Sequence, residues 1–142
     1  MTDLYIDAND HVLGRLASSV AKNLLKGNTI FVVNAEKAIV SGSPQATFDF
    51  FRAKITRGDP YHGPFYPNVP DRVIKRVVRT MLPKNDKGRT ALKRLRVFLS
   101  VPEDLKGRKF ERIKSAENNL NCKYITLGRV SEVVSGRKIG GN

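Results

Sequence analysis

LYIDANDHVLGRLASSVAKNLLKGNTIFVV, residues 4–33, decides how the rest of the chain is read. Leu4 to Ala8 is short and opens with Tyr5 and Ile6, residues that favour a strand. Leu13, Leu16, Ala17, Val20, Ala21, Leu24 and Leu25 then recur at three- and four-residue spacing, the apolar stripe of an amphipathic helix. Asn9 or Asp10 is placed to cap its start loosely, and Gly27 to end it. Ile30 to Val33 is a continuous, mostly β-branched apolar run, which suits a strand covered on both faces. Strand, helix and strand over about 30 residues make a βαβ unit with a right-handed crossover.

Further along, Ser43-Pro44 reads as the cap and first position of a second helix carrying Phe48, Phe51 and Ile55 on one face. Arg57 to Asp71 holds Pro60, Pro64, Pro67 and Pro70 with Gly58 and Gly63, so it is a loop, long and aromatic enough to be functional. Pro70-Asp71 opens a third helix. On its wheel Val73, Ile74, Val77, Val78 and Met81 face one way, and Arg72, Lys75, Arg76 and Arg79 lie within about 100° of arc on the other. Pro83 stops it. A basic segment from Lys84 to Arg96 follows. Leu95, Val97, Leu99 and Val101 alternate with Arg96, Phe98 and Ser100, as in a half-buried strand. Tyr124 to Thr126 predicts a last strand, Leu127 to Ser135 a last helix, and Gly136 to Asn142 a frayed end.

The chain has 142 residues and a formal net charge of +13. That length predicts one domain, able to bury about 70% of its unfolded surface without staples. The charge is uneven. Residues 1–51 carry four basic and five acidic side chains, residues 52–114 carry 18 and six, and residues 115–142 carry four and two. A neutral βαβ unit is thus joined to a strongly basic stretch, the pattern of a chain whose partner is a polyanion. Between Asp71 and Arg96, ten bases face two acids. An ordinary solvated face mixes signs, so phosphate neutralisation is the better reading.

Other features leave more than one reading open. Tyr61, His62, Phe65 and Tyr66 on their Pro-stiffened loop suit stacking on unpaired bases, or pinning of the loop to the protein's own core. Lys54, Arg57 and Arg72 bracket that loop and favour contact. Leu13-Gly14-Arg15 and Leu127-Gly128-Arg129 suit either anion approach to helix amides or tight helix packing. Neither phosphate-loop fingerprint is present. His11 and His62 lack a metal-ligand spacing. Cys122, the sole cysteine, reads as a small buried hydrophobe in a reducing compartment. Asp59 and His62 are an acid/base pair without a third group, too little for catalysis. The N-terminus does not read as a signal peptide, and no apolar run is long enough to span a membrane. A small nuclease or transferase using Asp59 and His62, and a free-standing nucleic-acid regulator, are the competing classes.

Leu13-Gly14-Arg15-Leu16-Ala17-Ser18 with Val32-Val33-Asn34-Ala35-Glu36-Lys37 resembles the N-terminal signature of the universal large-subunit ribosomal protein L-thirteen family. Met81-Leu82-Pro83-Lys84, Gly88-Arg89 and Leu95-Arg96-Val97 resemble its central motif. Tyr124-Ile125-Thr126-Leu127-Gly128 and Phe65-Tyr66-Pro67 are similar to its archaeal branch. The Pro-rich loop departs from the bacterial branch, and residues 103–122 match nothing in the pattern. The resemblance implies an α/β fold: a single three-layer α/β/α domain around a mostly parallel sheet of about four strands. It implies a cytoplasmic, non-catalytic constituent of the ribosome that binds large-subunit ribosomal RNA, contacts neighbouring large-subunit proteins and supports assembly. No cofactor, metal, membrane or small-molecule substrate is expected. The expected RNA-binding residues are Lys54, Arg57, His62, Tyr66, Arg72, Lys75, Arg76, Arg79, Lys84, Lys87, Arg89, Lys93 and Arg94.

Overall fold

A computed structural model describes residues 2–136. Residues 137–142, most of the expected frayed end, lie outside the described residues. Three strands, β1 (Asp3–Asp7), β2 (Thr29–Val33) and β4 (Leu95–Val97), pair in parallel in the order β1-β2-β4. The connection from β1 to β2 is α1 (Leu13–Leu25), so the βαβ unit forms as expected. Two short strands, β3 (Ile39–Ser41) and β5 (Tyr124–Thr126), pair antiparallel beside it. The helices are completed by α2 (Pro44–Thr56), α3 (Pro70–Met81), α4 (Asp86–Lys93) and α5 (Leu127–Ser135).

The register explains which sheet face is core. Ile30 pairs with Leu4 and Leu95, and Val32 with Ile6 and Val97. Ile6, Ile30, Val32, Leu95 and Val97 are buried with Leu16, Val20 and Leu24 of α1 and with Val73, Ile74 and Val78 of α3. Phe31 aligns with Tyr5 and Arg96 on the opposite face. There Tyr5 stacks on Phe31 at 5.0 Å, Phe110 meets Tyr5 edge-on at 6.3 Å, and the Arg108 guanidinium lies 5.4 Å above the Tyr5 ring.

The α/β class and the mostly parallel sheet are as expected, but two details differ. The parallel sheet has three strands rather than about four. The place of a fourth, beside β1, holds a single bridge at Glu111, whose N–H donates to Tyr5 O (2.8 Å) and whose carbonyl accepts from Asp7 N (3.2 Å). The second face is covered by this extended segment, with Phe110 and Arg108, rather than by a further layer of helices. Residues 103–122 thus bind back onto the N-terminal unit through contacts no local pattern encodes. His11 is the main pin. It is fully buried, its Nε2 accepts from Ile113 N–H at 3.0 Å, and its Nδ1 lies 2.9 Å from Asn9 O, which it must therefore donate to.

Local expectations fare variously. The α1 stripe is buried except Leu25, and Gly27 follows its C-cap with a left-handed φ of +98°. The N-cap is Val12, with no side-chain cap. Asn9 and Asp10 are used elsewhere: Asp10 accepts from Asn118 through both its carbonyl and its Oδ1. Ser43 caps α2, its Oγ accepting from Ala46 N–H. Met81 is exposed, at the end of the α3 stripe. The strand expected over Leu95 to Val101 stops at Val97. Lys84 to Arg96 contains a helix, α4, that periodicity did not reveal. Cys122 is exposed, a correction to its reading as a buried hydrophobe, because residues 119–124 are mostly solvent-facing.

The two Leu-Gly-Arg sites prove unlike. A Cβ at Gly14 would meet nothing within 4 Å, whereas one at Gly128 would sit 3.0 Å from Glu36 Cβ and from its carbonyl oxygen. Gly128 is therefore a packing glycine, holding the start of α5 against the turn at Ala35–Lys37. Glu36 Oε2 is buried there without a hydrogen-bond partner among the described residues. Burial pushes its carboxyl above the usual carboxylate range, against the pull of its own backbone N–H and of Lys37, and Asp7 adds to the rise.

Two outcomes follow. Gly14→Ala should leave stability unchanged or raise it by up to about 1 kcal/mol, through helix propensity. Gly128→Ala should lower it by about 1–3 kcal/mol by overpacking. Denaturant midpoints of the pair check both. Because folding raises the Glu36 pKa, the folded state holds its proton more tightly. The charge at Glu36 therefore costs stability above its folded pKa, and that cost disappears as pH falls to the ordinary carboxylate value. Glu36→Gln should raise the melting temperature at neutral pH, with the advantage shrinking in acid. A constant offset across pH would contradict this.

Candidate nucleic-acid interface

Pro70 starts α3 without a wasted donor, and Asp71 in the first turn suits the positive end of the helix dipole. Val73, Ile74 and Val78 seat the helix on the core, so the opposite side must face solvent. Arg72 and Arg79 are exposed, while Lys75 and Arg76 are half-buried along their stems. All four line a hollow of about 520 Å³ with Phe65 and Tyr66, and no acidic side chain lines it.

Past Leu82 the chain turns at Pro83 into α4. Asn85 caps this helix, its Oδ1 accepting from Gly88 N–H at 3.0 Å. Gly88 is required: a Cβ there would lie 1.8 Å from Pro83 O. That close approach sets the angle between α3 and α4 and gives the Pro83…Gly88 part of the motif its physical reason. Arg76, Arg79, Lys84 and Arg89 line the hollow inside the elbow, about 430 Å³. Lys84, Lys87, Arg89 and Lys93 are exposed. Arg89 also meets Asp86 at 3.4 Å, an exposed pair worth little.

Arg94 stands apart from this set. Its Nη2 donates to Leu24 O at 2.7 Å, satisfying a last-turn carbonyl of α1, and its Nε is buried without a partner among the described residues. The geometry gives Arg94 a role inside the fold, tying β4 to α1.

The loop between α2 and α3 divides its candidates. Asp59 and Gly63 close its tip with two backbone hydrogen bonds, of 2.9 and 3.3 Å. Asp59 accepts from Tyr61 N–H at 2.9 Å and pairs with His62 Nδ1 at 3.1 Å, and both contacts hold its carboxyl below the usual carboxylate range. His62 and Tyr61 stand 84% (side chain) and 87% exposed at the tip. The Asp59–His62 pair is therefore open to solvent, and among the described residues no further side chain is bonded to either member. Tyr66 instead turns inward to Phe51, centroids 6.2 Å apart, with Lys54 Nζ and Arg76 Cζ 5.3 and 5.8 Å from its ring. Burial raises its phenol, against the pull of Arg76.

Lys54, Arg57 and Arg76 meet at a third hollow, of about 680 Å³, between α2, α3 and the loop. Two of its side chains are exposed rings: Phe50, which the sequence does not single out, and Phe65, which it offers for base stacking together with Tyr61, His62 and Tyr66. They are 55% and 66% exposed. The signal for Phe50 was available, because the Phe48-Phe51-Ile55 stripe leaves it on the outer side of α2. Among the described residues no group of His, Cys, Asp and Glu is arranged to hold a metal ion, and no helix is long and apolar enough to cross a membrane.

Comparison with known proteins fits this arrangement. The family model described as Ribosomal protein L13 matches residues 2–104. Relatives named large ribosomal subunit protein uL13 include one from Archaeoglobus fulgidus, 47% identical over 138 residues, covering 94% of this chain and 88% of that one. Another, from Methanosarcina barkeri, is 46% identical over 136 residues, covering 93% and 97%. A third, from Haloarcula marismortui, is 38% identical over 137 residues, covering 96% and 93%. The family model covers most of the chain and the relatives are similar along nearly all of it, so the chain belongs to the ribosomal protein L13 family of the large ribosomal subunit.

Proposed function

We propose that this chain binds large-subunit ribosomal RNA through the face built by α3, the Lys84 elbow and α4, and so supports assembly of that subunit. One observation carries the reading. Arg72, Lys75, Arg76, Arg79, Lys84 and Arg89 line two adjoining hollows that no acidic side chain enters. Among the described residues only Arg89 of this set meets an acid, in its exposed pair with Asp86, and cations so left without counter-charges have their favourable partner in phosphate, where binding releases condensed counterions. Guanidinium forks on α3 suit phosphate oxygens in pairs. Held between approaching RNA strands, they screen mutual repulsion and favour one RNA fold.

In this reading residues 1–142 act as one domain in the cytoplasmic ribosome, without turnover of their own. The neutral N-terminal unit (1–51) supplies the rigid scaffold, and the basic region (52–114) contains the RNA-facing surface. Lys54, Arg57 and His62 extend that surface along the loop, and Lys87 and Lys93 extend it along α4. Neighbouring large-subunit proteins are its remaining partners.

With about 6–10 phosphates neutralised, affinity for a large-subunit RNA fragment should fall by roughly 10³–10⁵ between about 50 and 200 mM salt. Replacing Arg72, Arg76 and Arg79 together by Ala should flatten that slope by about three contacts' worth while the circular dichroism spectrum stays unchanged. A folded triple variant with the parent slope would place the contact surface elsewhere.

A further inference from the structure

The hollow between α2, α3 and the loop is unlike the basic face beside it. Its lining is mostly apolar, with Val40, Phe50, Phe51 and Val77 in it, and also includes Lys54, Arg57 and Arg76. No acidic side chain lines it. Lys54 Nζ lies 4.9 Å from the Phe50 centroid and 5.3 Å from that of Tyr66. None of the three cations is in an ion pair of the described residues. Phe50 and Phe65 leave more than half of their surface in water, a cost that folding alone does not justify.

Phe65, Tyr66 and Arg76 line both this hollow and the basic one on α3. An aromatic, base-receiving space therefore opens directly onto a track of cations. The ligand that matches has a flat apolar face and negative charges repeated along a flexible backbone. That is a single-stranded nucleotide segment, whereas a duplex keeps its base faces stacked inside.

We propose that this hollow receives an unpaired nucleotide of the RNA, its base against Phe65 and Phe50 and its flanking phosphates on Lys54, Arg76 and the α3 face. The proposal rests on the RNA-binding reading above and adds the kind of RNA element recognised. Of the four loop side chains that suit base stacking, Tyr61, His62, Phe65 and Tyr66, it selects Phe65, which lines the hollow, over Tyr61 and His62 at the loop tip.

The test uses the full chain, a short single-stranded oligouridine carrying one 2-aminopurine, and a duplex RNA for comparison. The unaltered chain should quench the aminopurine on binding. Phe65→Ala should weaken single-strand binding by about 5–150-fold and abolish the quench, with duplex affinity and salt slope unchanged. Phe65→Trp should restore both, and Phe50→Ala should act in the same direction as Phe65→Ala. Both rings are exposed, so the variants should fold, as melting temperature will report. Parent-like binding and quench in Phe65→Ala and Phe50→Ala would overturn the proposal while a preserved salt slope left the basic face standing. That result would assign the hollow to a protein neighbour. Equal losses on single strand and duplex would also overturn it. Failure of the unaltered chain to bind either RNA would overturn both readings.

Discussion

Four like charges share one face of α3, and the burial beneath them is what keeps them there. Arg72, Lys75, Arg76 and Arg79 form like-charged neighbours at three- and four-residue spacing, each such pair costing about 0.2–0.5 kcal/mol. Against about 1–2 kcal/mol in all, Val73, Ile74 and Val78 are each essentially fully buried, and such a side chain contributes about 1.5–3 kcal/mol. Burial wins by a clear margin. The repulsion that remains is relieved by a polyanion, which couples the stability of this helix to its occupancy. The Pro83–Gly88 approach then fixes where α4 presents its own cations relative to α3.

The neutral N-terminal unit of the chain is what makes such a face tolerable. The sheet and α1 give α3 a flat apolar seat at Ile30, Val32 and Leu95. Distant chain segments then lock that seat: Arg94 onto the end of α1, Glu111 onto the edge of β1, and Ile113 onto His11. The hydrogen bonds at His11 are buried, so losing either partner strands a polar group without water. Charge and core are thus separated along the sequence but interlocked in space.

How much of this was legible from residues alone follows from how local each cause is. The α1 and α3 stripes, the Ser43-Pro44 start of α2 and the Thr126–Ser135 end were readable because spacing and caps sit within one or two turns. The basic face was readable for the same reason. Helix α4 was hidden because its short apolar side, Gly88 and Ala91, is too small to show a stripe. The covering of the second sheet face depends on Phe110 reaching Tyr5 across about a hundred residues, which no window detects. Tyr66 and Phe65 are adjacent and chemically alike, yet only the fold separates a ring turned to Phe51 from one left open. Arg94 looked like its basic neighbours and differs only because Leu24 O lies within its reach.

The central claim is that RNA occupies the α3–α4 face and leaves the Tyr5–Phe31 face of the sheet free. Lysine-reactivity footprinting of the full chain, with and without large-subunit ribosomal RNA, tests this most directly, because Lys84 and Lys87 are exposed and Lys75 half-exposed on the first face, and Lys106 and Lys109 are exposed in the segment that covers the second. The account predicts that RNA protects Lys75, Lys84 and Lys87 while Lys106 and Lys109 stay reactive. Protection of Lys106 and Lys109 with Lys75, Lys84 and Lys87 unchanged would contradict it.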